Sequence, residues 1–193
     1  MSLSAIQRQS TISFTFTILI TIIGFISTML FSHILGKDLM GVYYLFLAYF
    51  GIFNMIGDGG FGSAAVKRIS EGKEQNAYLT AYACLRGLLI IVSTLVLLTL
   101  GPFFVDLQDY HLVPLVLLAL ASAGIFHTIT MGVYGLGHVG VKNVGFGLSE
   151  LARIIIQIIT VLLGFTVYGL IGGYIAGIIL SGILCIKYFT FKP

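Results

Sequence analysis

Four charged side chains, Asp58, Arg86, Glu150 and Arg153, lie inside long apolar runs of the sequence. A charge at membrane depth costs several kcal/mol unless it is paired or hydrated, so it marks either a packing network or a functional site. Each of the four is roughly six to nine residues from the same end of its run, about 10–14 Å along a helix. Two positive and two negative charges are therefore predicted at one depth.

Two interpretations of these charges stay open. In the first, they form ion pairs that hold the helices together; because Glu150 and Arg153 are three residues apart, they share one helix face. In the second, Arg86 and Arg153 face a hydrated cavity and bind an anionic phosphate, since a guanidinium group stays charged and can donate two parallel hydrogen bonds to phosphate oxygens. Asp58 and Glu150 would then balance these charges or couple transport to H⁺ or Na⁺.

The composition places the chain in a membrane. Of 193 residues, 58% are hydrophobic and only 9% are charged, with a mean hydropathy of +1.07, whereas soluble domains are about a quarter charged. No basic stripe or soluble surface exists for nucleic acid. Cys84 and Cys185 lie in apolar runs without metal-ligand or paired spacing and are predicted to be small buried hydrophobes, and no cofactor or metal site is expected.

The order of the apolar runs predicts an all-α bundle, with six transmembrane helices in three hairpins forming one membrane domain over residues 1–193. The predicted spans are residues 14–35, 40–66, 77–100, 112–136, 146–167 and 170–189. A glycine-rich turn is expected at residues 137–147, and a tight turn at Tyr168 and Gly169.

The distribution of basic residues predicts the orientation. Seven Lys or Arg residues fall on the N-terminal side of the predicted membrane, namely Arg8, Lys67, Arg68, Lys73, Lys142, Lys187 and Lys192. The opposite side has Lys37 alone. By the positive-inside rule, both termini are expected in the cytoplasm and the chain in the cytoplasmic membrane.

Small and polar residues within the spans predict helix contacts. Gly169, Gly173, Gly177 and Ser181 recur every four residues and predict a packing ridge. Glycines also crowd around Asp58, where they permit either close packing or bending, and packing is favoured. Asn54 and Gln157 are expected to bond across helices, and His127 to be a hydrogen-bonded packing residue.

Two segments resemble the polysaccharide-export flippases of the MATE-like MOP superfamily. Residues 35–70, LGKDLMGVYYLFLAYFGIFNMIGDGGFGSAAVKRIS, resemble the family's first hairpin; residues 133–177, VYGLGHVGVKNVGFGLSELARIIIQIITVLLGFTVYGLIGGYIAG, resemble its helix 4 to helix 6 region. The resemblance implies a transporter of lipid-linked oligosaccharides. Such flippases usually have twelve or more spans, so the resemblance also implies that this chain is equivalent to an N-terminal lobe. Its implied partners are the lipid bilayer, a lipid-linked glycan and a second six-span half or a second copy of the chain.

Other functions remain as alternatives. A cation-coupled drug exporter of the same superfamily ranks second, because cation coupling is expected to need more carboxylates than the spans of this sequence contain. A non-transporting membrane subunit of a glycan-assembly complex fits the short length. A membrane enzyme ranks lower: Asp106 and Asp109 could suggest a metal–sugar carboxylate pair, but they lie in a short outer loop without a catalytic domain. The chain is therefore expected not to be an enzyme.

Overall fold

The computed structural model describes the backbone of residues 3–187, and their side chains except those of residues 3–13, 16, 139–142 and 144. Three of the basic side chains used to predict the orientation, Arg8, Lys142 and Lys192, lie outside the described set, as does the end of the last predicted span.

The described chain is all-helical, as predicted, and contains no strand between residues 3 and 187. Its helices are α1 (Leu3–Asp58), α2 (Phe61–Ser70), α3 (Gln75–Leu100), α4 (Val105–Asp109), α5 (Leu112–Gly135), α6 (Val139–Leu162) and α7 (Thr166–Ile186), with a 3₁₀ turn at Gly101–Phe103. Among the residues that the structure describes, five helices are long and apolar enough to cross a membrane.

The first of these membrane helices is long enough for two crossings. Its apolar part, Thr17–Asp58, has 42 residues, about 63 Å of helix against a hydrocarbon layer of about 30 Å. Gly36 interrupts it with non-helical angles of φ 79° and ψ 170°, a conformation that only glycine adopts without strain. The kink lies between the predicted spans 14–35 and 40–66.

The span predicted as continuous over residues 40–66 is broken in the structure. Helix α1 ends at Asp58, and α2 begins at Phe61 after Gly59 and Gly60. Both glycines have positive φ, 55° and 77°, which places them in the left-handed region and ends the helix. The short α2 then buries one face, Gly62, Ala65 and Ile69, and leaves its basic residues exposed.

Two later turns also differ from the prediction. The connection between α5 and α6 is much shorter than residues 137–147, because α6 already begins at Val139. The turn between α6 and α7 lies at residues 163–165, where Gly164 has φ 87°, so Tyr168 and Gly169 belong to α7. In both places the helix continues through glycines that do not need a positive φ, because a helix tolerates single glycines at a cost of about 1 kcal/mol each.

Aromatic side chains hold the second part of α1 against α7 in the bundle core. Phe46 and Phe50 stack with their centroids 6.2 Å apart, and Tyr174 meets both rings edge-on at 5.9 and 5.6 Å. Cys185 is buried, as predicted, but Cys84 is exposed on α3; that part of the prediction is wrong, because an apolar run does not reveal which side faces outward.

The predicted ridge of small residues on α7 is confirmed as a contact face against α6. A Cβ atom at Gly173 would lie 2.4 Å from Gln157 Cγ and 3.3 Å from the Arg153 carbonyl oxygen. At Gly177 it would lie 3.1 Å from Arg153 Cβ. The glycines therefore let the α6 backbone, and with it Arg153, approach α7 closely.

This contact predicts opposite effects for two neighbouring glycines. Gly173→Ala places a methyl group against α6 backbone and should lower the free energy of unfolding by about 1–3 kcal/mol, as overpacking does. Gly172→Ala meets nothing within 4 Å and should be neutral or stabilising, because alanine favours helix over glycine. Thermal unfolding of the two purified variants tests the ridge, and equal stability would contradict it.

Candidate functional site

The first charged pair joins α1 to α3. Arg86 donates a short hydrogen bond through Nη1 to Asp58 Oδ1, and the hydroxyl of Tyr82 donates to the same oxygen at 3.0 Å. The side chain of Arg86 is 1% exposed and that of Asp58 is 26% exposed. A buried guanidinium is thus neutralised by a carboxylate near the end of α1, as an ion-pair network requires.

The second charged pair lies on α6. Arg153 donates from Nε and Nη2 to Glu150 Oε2, at 3.1 and 2.5 Å. Both side chains are partly open, 19% and 24% exposed. Glu150 accepts from two nitrogens of the guanidinium, and the Tyr43 hydroxyl interacts with the same group. Because guanidinium has five N–H donors, donors remain for another acceptor.

A cavity of about 230 Å³ lies beside this second pair. Its wall combines aromatic, hydroxyl, amide and charged side chains from α1, α5, α6 and α7: Phe50, Asn54, Ala123, Phe126, His127, Thr130, Phe146, Ser149, Glu150, Arg153, Tyr174, Gly177, Ile178 and Ser181. Of the four charged residues singled out from the sequence, Glu150 and Arg153 line the cavity. Asp58 and Arg86 lie behind its wall.

Asn54 lies between the first pair and the cavity. Its Oδ1 accepts a hydrogen bond from Arg86 Nη2 at 3.2 Å, and the carbonyl of Ala123 accepts from the same nitrogen at 3.4 Å. Asn54 and Ala123 both line the cavity. The buried guanidinium of Arg86 therefore lies directly behind this part of the wall.

The cross-helix bonds predicted for the two amides are confirmed. Asn54 bonds from α1 to Arg86 on α3, and Gln157 on α6 donates from Nε2 to the Leu170 carbonyl at 2.7 Å and to the Tyr43 hydroxyl at 3.2 Å. The Gln157 side chain is buried. It ties α6 to both α1 and α7 and so fixes the helix that presents Arg153.

Sequence reasoning missed several wall residues. Phe50 and Tyr174 are two of many aromatic residues in apolar runs. Their spacing in the sequence does not indicate whether a side chain lines a cavity or faces lipid. Tyr82 could have been found, because it lies four residues before Arg86 and so on the same face of α3.

Comparison with known proteins gives one result that bears on this site. A family model described as polysaccharide biosynthesis protein matches residues 6–193. No curated protein matches the chain, and no solved structure does. The match covers α6 and its charged pair together with the rest of the described bundle. The chain belongs to the polysaccharide biosynthesis protein family.

Proposed function

We propose that this protein is a flippase that moves lipid-linked oligosaccharide or polysaccharide precursors across the cytoplasmic membrane. The observation that carries the proposal is the cavity beside Arg153, inside a bundle of apolar helices that belongs to the polysaccharide biosynthesis family. An arginine that lines a recess at membrane depth is a functional-site candidate, since such a charge is costly elsewhere in lipid.

Arg153 is the proposed phosphate contact, and Glu150 its counter-charge. The guanidinium is partly open and lines the cavity, and its remaining N–H donors can bind a phosphate oxygen of a lipid-linked substrate. Arg86, the other arginine proposed as a substrate contact, is 1% exposed and already bonded to protein groups. Its geometry favours the ion-pair role, in which Asp58 balances it.

The proposed transport cycle is alternating access. Six spans, with two of them formed by α1 on either side of Gly36, make one lobe, and a second six-span half or a second copy of this chain makes the other. The cavity would then open to one side of the membrane at a time, as the two lobes rock around the bound substrate. In this proposal the chain is a transporter and not an enzyme.

The proposed orientation places both termini in the cytoplasm and the connection between α3 and α5 outside. In a background without Cys84 and Cys185, a cysteine at Gln108 is expected to react with an impermeant thiol reagent added to intact cells. A cysteine at Lys73, beside the basic end of α2, is expected to react only after the membrane is opened. The reverse pattern would contradict the orientation.

The experiment that tests the function is a flipping assay. Vesicles carrying the complete protein are loaded with a fluorescent lipid-linked oligosaccharide, and the fraction accessible from outside is followed over time. Movement of this lipid that depends on Arg153 supports the flippase. A cation-coupled drug exporter would instead move an organic cation, and a non-transporting subunit would move neither. Glu150 is the only carboxylate among the described residues that line the cavity, and it is paired, which disfavours the exporter.

A further inference from the structure

The orientation of the Asn54 side-chain amide is determined by Arg86, to which it is hydrogen-bonded. Guanidinium carries N–H donors and no acceptor, so the atom that Asn54 turns toward Arg86 must be the oxygen Oδ1. The observed contact is between Arg86 Nη2 and that oxygen, at 3.2 Å. The Nδ2 group is on the opposite branch of the planar amide and is turned away from Arg86. Asn54 is part of the cavity wall and is only partly buried.

Arg86 is itself held too firmly to change this arrangement. Asp58 and the Tyr82 hydroxyl hold its Nη1, while the Ala123 carbonyl shares its Nη2 with Asn54. These partners come from α1, α3 and α5, so the guanidinium is fixed between three helices. A rotation of the Asn54 amide by half a turn would place two N–H groups against this cation and would be repulsive.

We propose that Asn54 donates a hydrogen bond from Nδ2 to an acceptor oxygen of the substrate in the cavity, and that Arg86 is the positioning residue that turns the amide for this purpose. The proposal rests on the proposed function, because it assumes that the cavity is the substrate site. Asn54 on α1 and Arg153 on α6 then present donors to one ligand from two helices. The acceptor is a phosphate oxygen or a sugar hydroxyl oxygen of the lipid-linked glycan.

The test uses the absence of tryptophan from the chain. Phe146→Trp adds the one tryptophan of this 193-residue chain as a fluorescent reporter in the cavity wall, and this reporter chain is the reference. It is titrated with inorganic pyrophosphate and, separately, with a methyl glycoside of a monosaccharide. The probe that changes the fluorescence identifies the source of the acceptor oxygen.

Two substitutions of Asn54 then separate donation from packing. Asn54→Asp keeps an oxygen acceptor for Arg86, loses the donor and adds a negative charge, so its affinity is compared with the uncharged methyl glycoside as the probe. Asn54→Ala loses both groups and adds no charge, so it is compared with either probe. If Nδ2 donates to the ligand, both variants weaken binding of the probe by roughly three- to tenfold, the effect of one hydrogen bond. Asn54→Asp should also keep the melting temperature of the reference. Unchanged probe affinity in Asn54→Ala overturns the proposal.

A double-variant cycle tests the role of Arg86. Arg86→Lys keeps a cation beside Asp58 but removes the second guanidinium nitrogen, Nη2, which donates to Asn54. It should weaken probe binding in the reference chain and have no further effect in the Asn54→Ala chain, because its action passes through Asn54. Equal weakening in both backgrounds overturns the positioning role. If the reference chain binds neither probe, the proposed function itself is contradicted. If the reference chain binds a probe and Asn54→Ala binds it equally well, only the role of Asn54 is contradicted.

Discussion

Arg153→Gln is expected to slow flipping of the lipid-linked oligosaccharide by roughly 10- to 100-fold, the loss of one or two charge-assisted hydrogen bonds to phosphate. The fold should survive. Arg153 and Glu150 are both partly open and line the cavity, so water can hydrate the carboxylate that is left, and the stability cost should be smaller than for a fully buried pair. The measurements are the initial flipping rate in vesicles and the melting temperature of the purified variant.

Three further variants sharpen this result. Arg153→Lys should keep part of the flipping rate, because the positive charge remains while the paired hydrogen bonds of the guanidinium are lost. Glu150→Gln/Arg153→Gln should remain slow; if the double variant regained transport, the phosphate contact would be wrong and the pair purely structural. Arg68→Gln is the matched control, since Arg68 forms an exposed pair with Glu71 at the same spacing of three residues and does not line the cavity. It should change neither rate nor stability.

The pairing on α6 could be predicted from the sequence, whereas the one between α1 and α3 could not. Glu150 and Arg153 are three residues apart, so helical periodicity alone brings them together. Asp58 and Arg86 are 28 residues apart. Their equal predicted depth made a pair possible, but only the packing of α1 against α3 brings Asp58 next to Arg86 and not to Arg153.

The cavity itself was beyond sequence reasoning for a physical reason. In lipid, helices are apolar on their outer faces as well as their inner ones, so hydrophobic periodicity does not indicate which face is buried. Phe50 and Tyr174 therefore have the same sequence signature as exposed residues outside the cavity, such as Phe25 and Phe165. Small residues were more informative: the ridge at Gly173 and Gly177 was predicted correctly, because close backbone approach requires them.

Helix ends could not be predicted from the glycines alone: the break at Gly59 and Gly60 was missed, and the turn expected at residues 137–147 is mostly helix. Gly59 and Gly60 end α1 with positive φ, yet the same sequence pattern near Gly145 continues as helix. The sequence contains glycines in both places, and the choice between turn and helix depends on neighbours that pack against them. At Gly145 the nearest atom to an added Cβ would be Cys185 Sγ, 3.7 Å away, on α7 and 40 residues later in the sequence.

Asp58→Asn is expected to cause the largest loss of stability, about 3–5 kcal/mol, the usual effect of removing one partner from a buried ion pair. The reason is the burial of Arg86, which is 1% exposed and loses its only described carboxylate. Its Nε already has no hydrogen-bond partner within the described part of the chain. The neutral amide of the new asparagine cannot balance the charge. Thermal unfolding in detergent and the yield of folded protein measure the effect.

Removing both charges tests whether the cost comes from the unpaired guanidinium. Asp58→Asn/Arg86→Met replaces a buried ion pair with neutral groups of similar size, a change that is often nearly neutral for stability. The double variant should therefore recover much of the loss. Asp38→Asn is the control, because Asp38 is an exposed carboxylate on the same helix and its loss should be harmless. A double variant less stable than Asp58→Asn would mean that Arg86 stabilises the bundle through Asn54 and Ala123 and not through its charge pair.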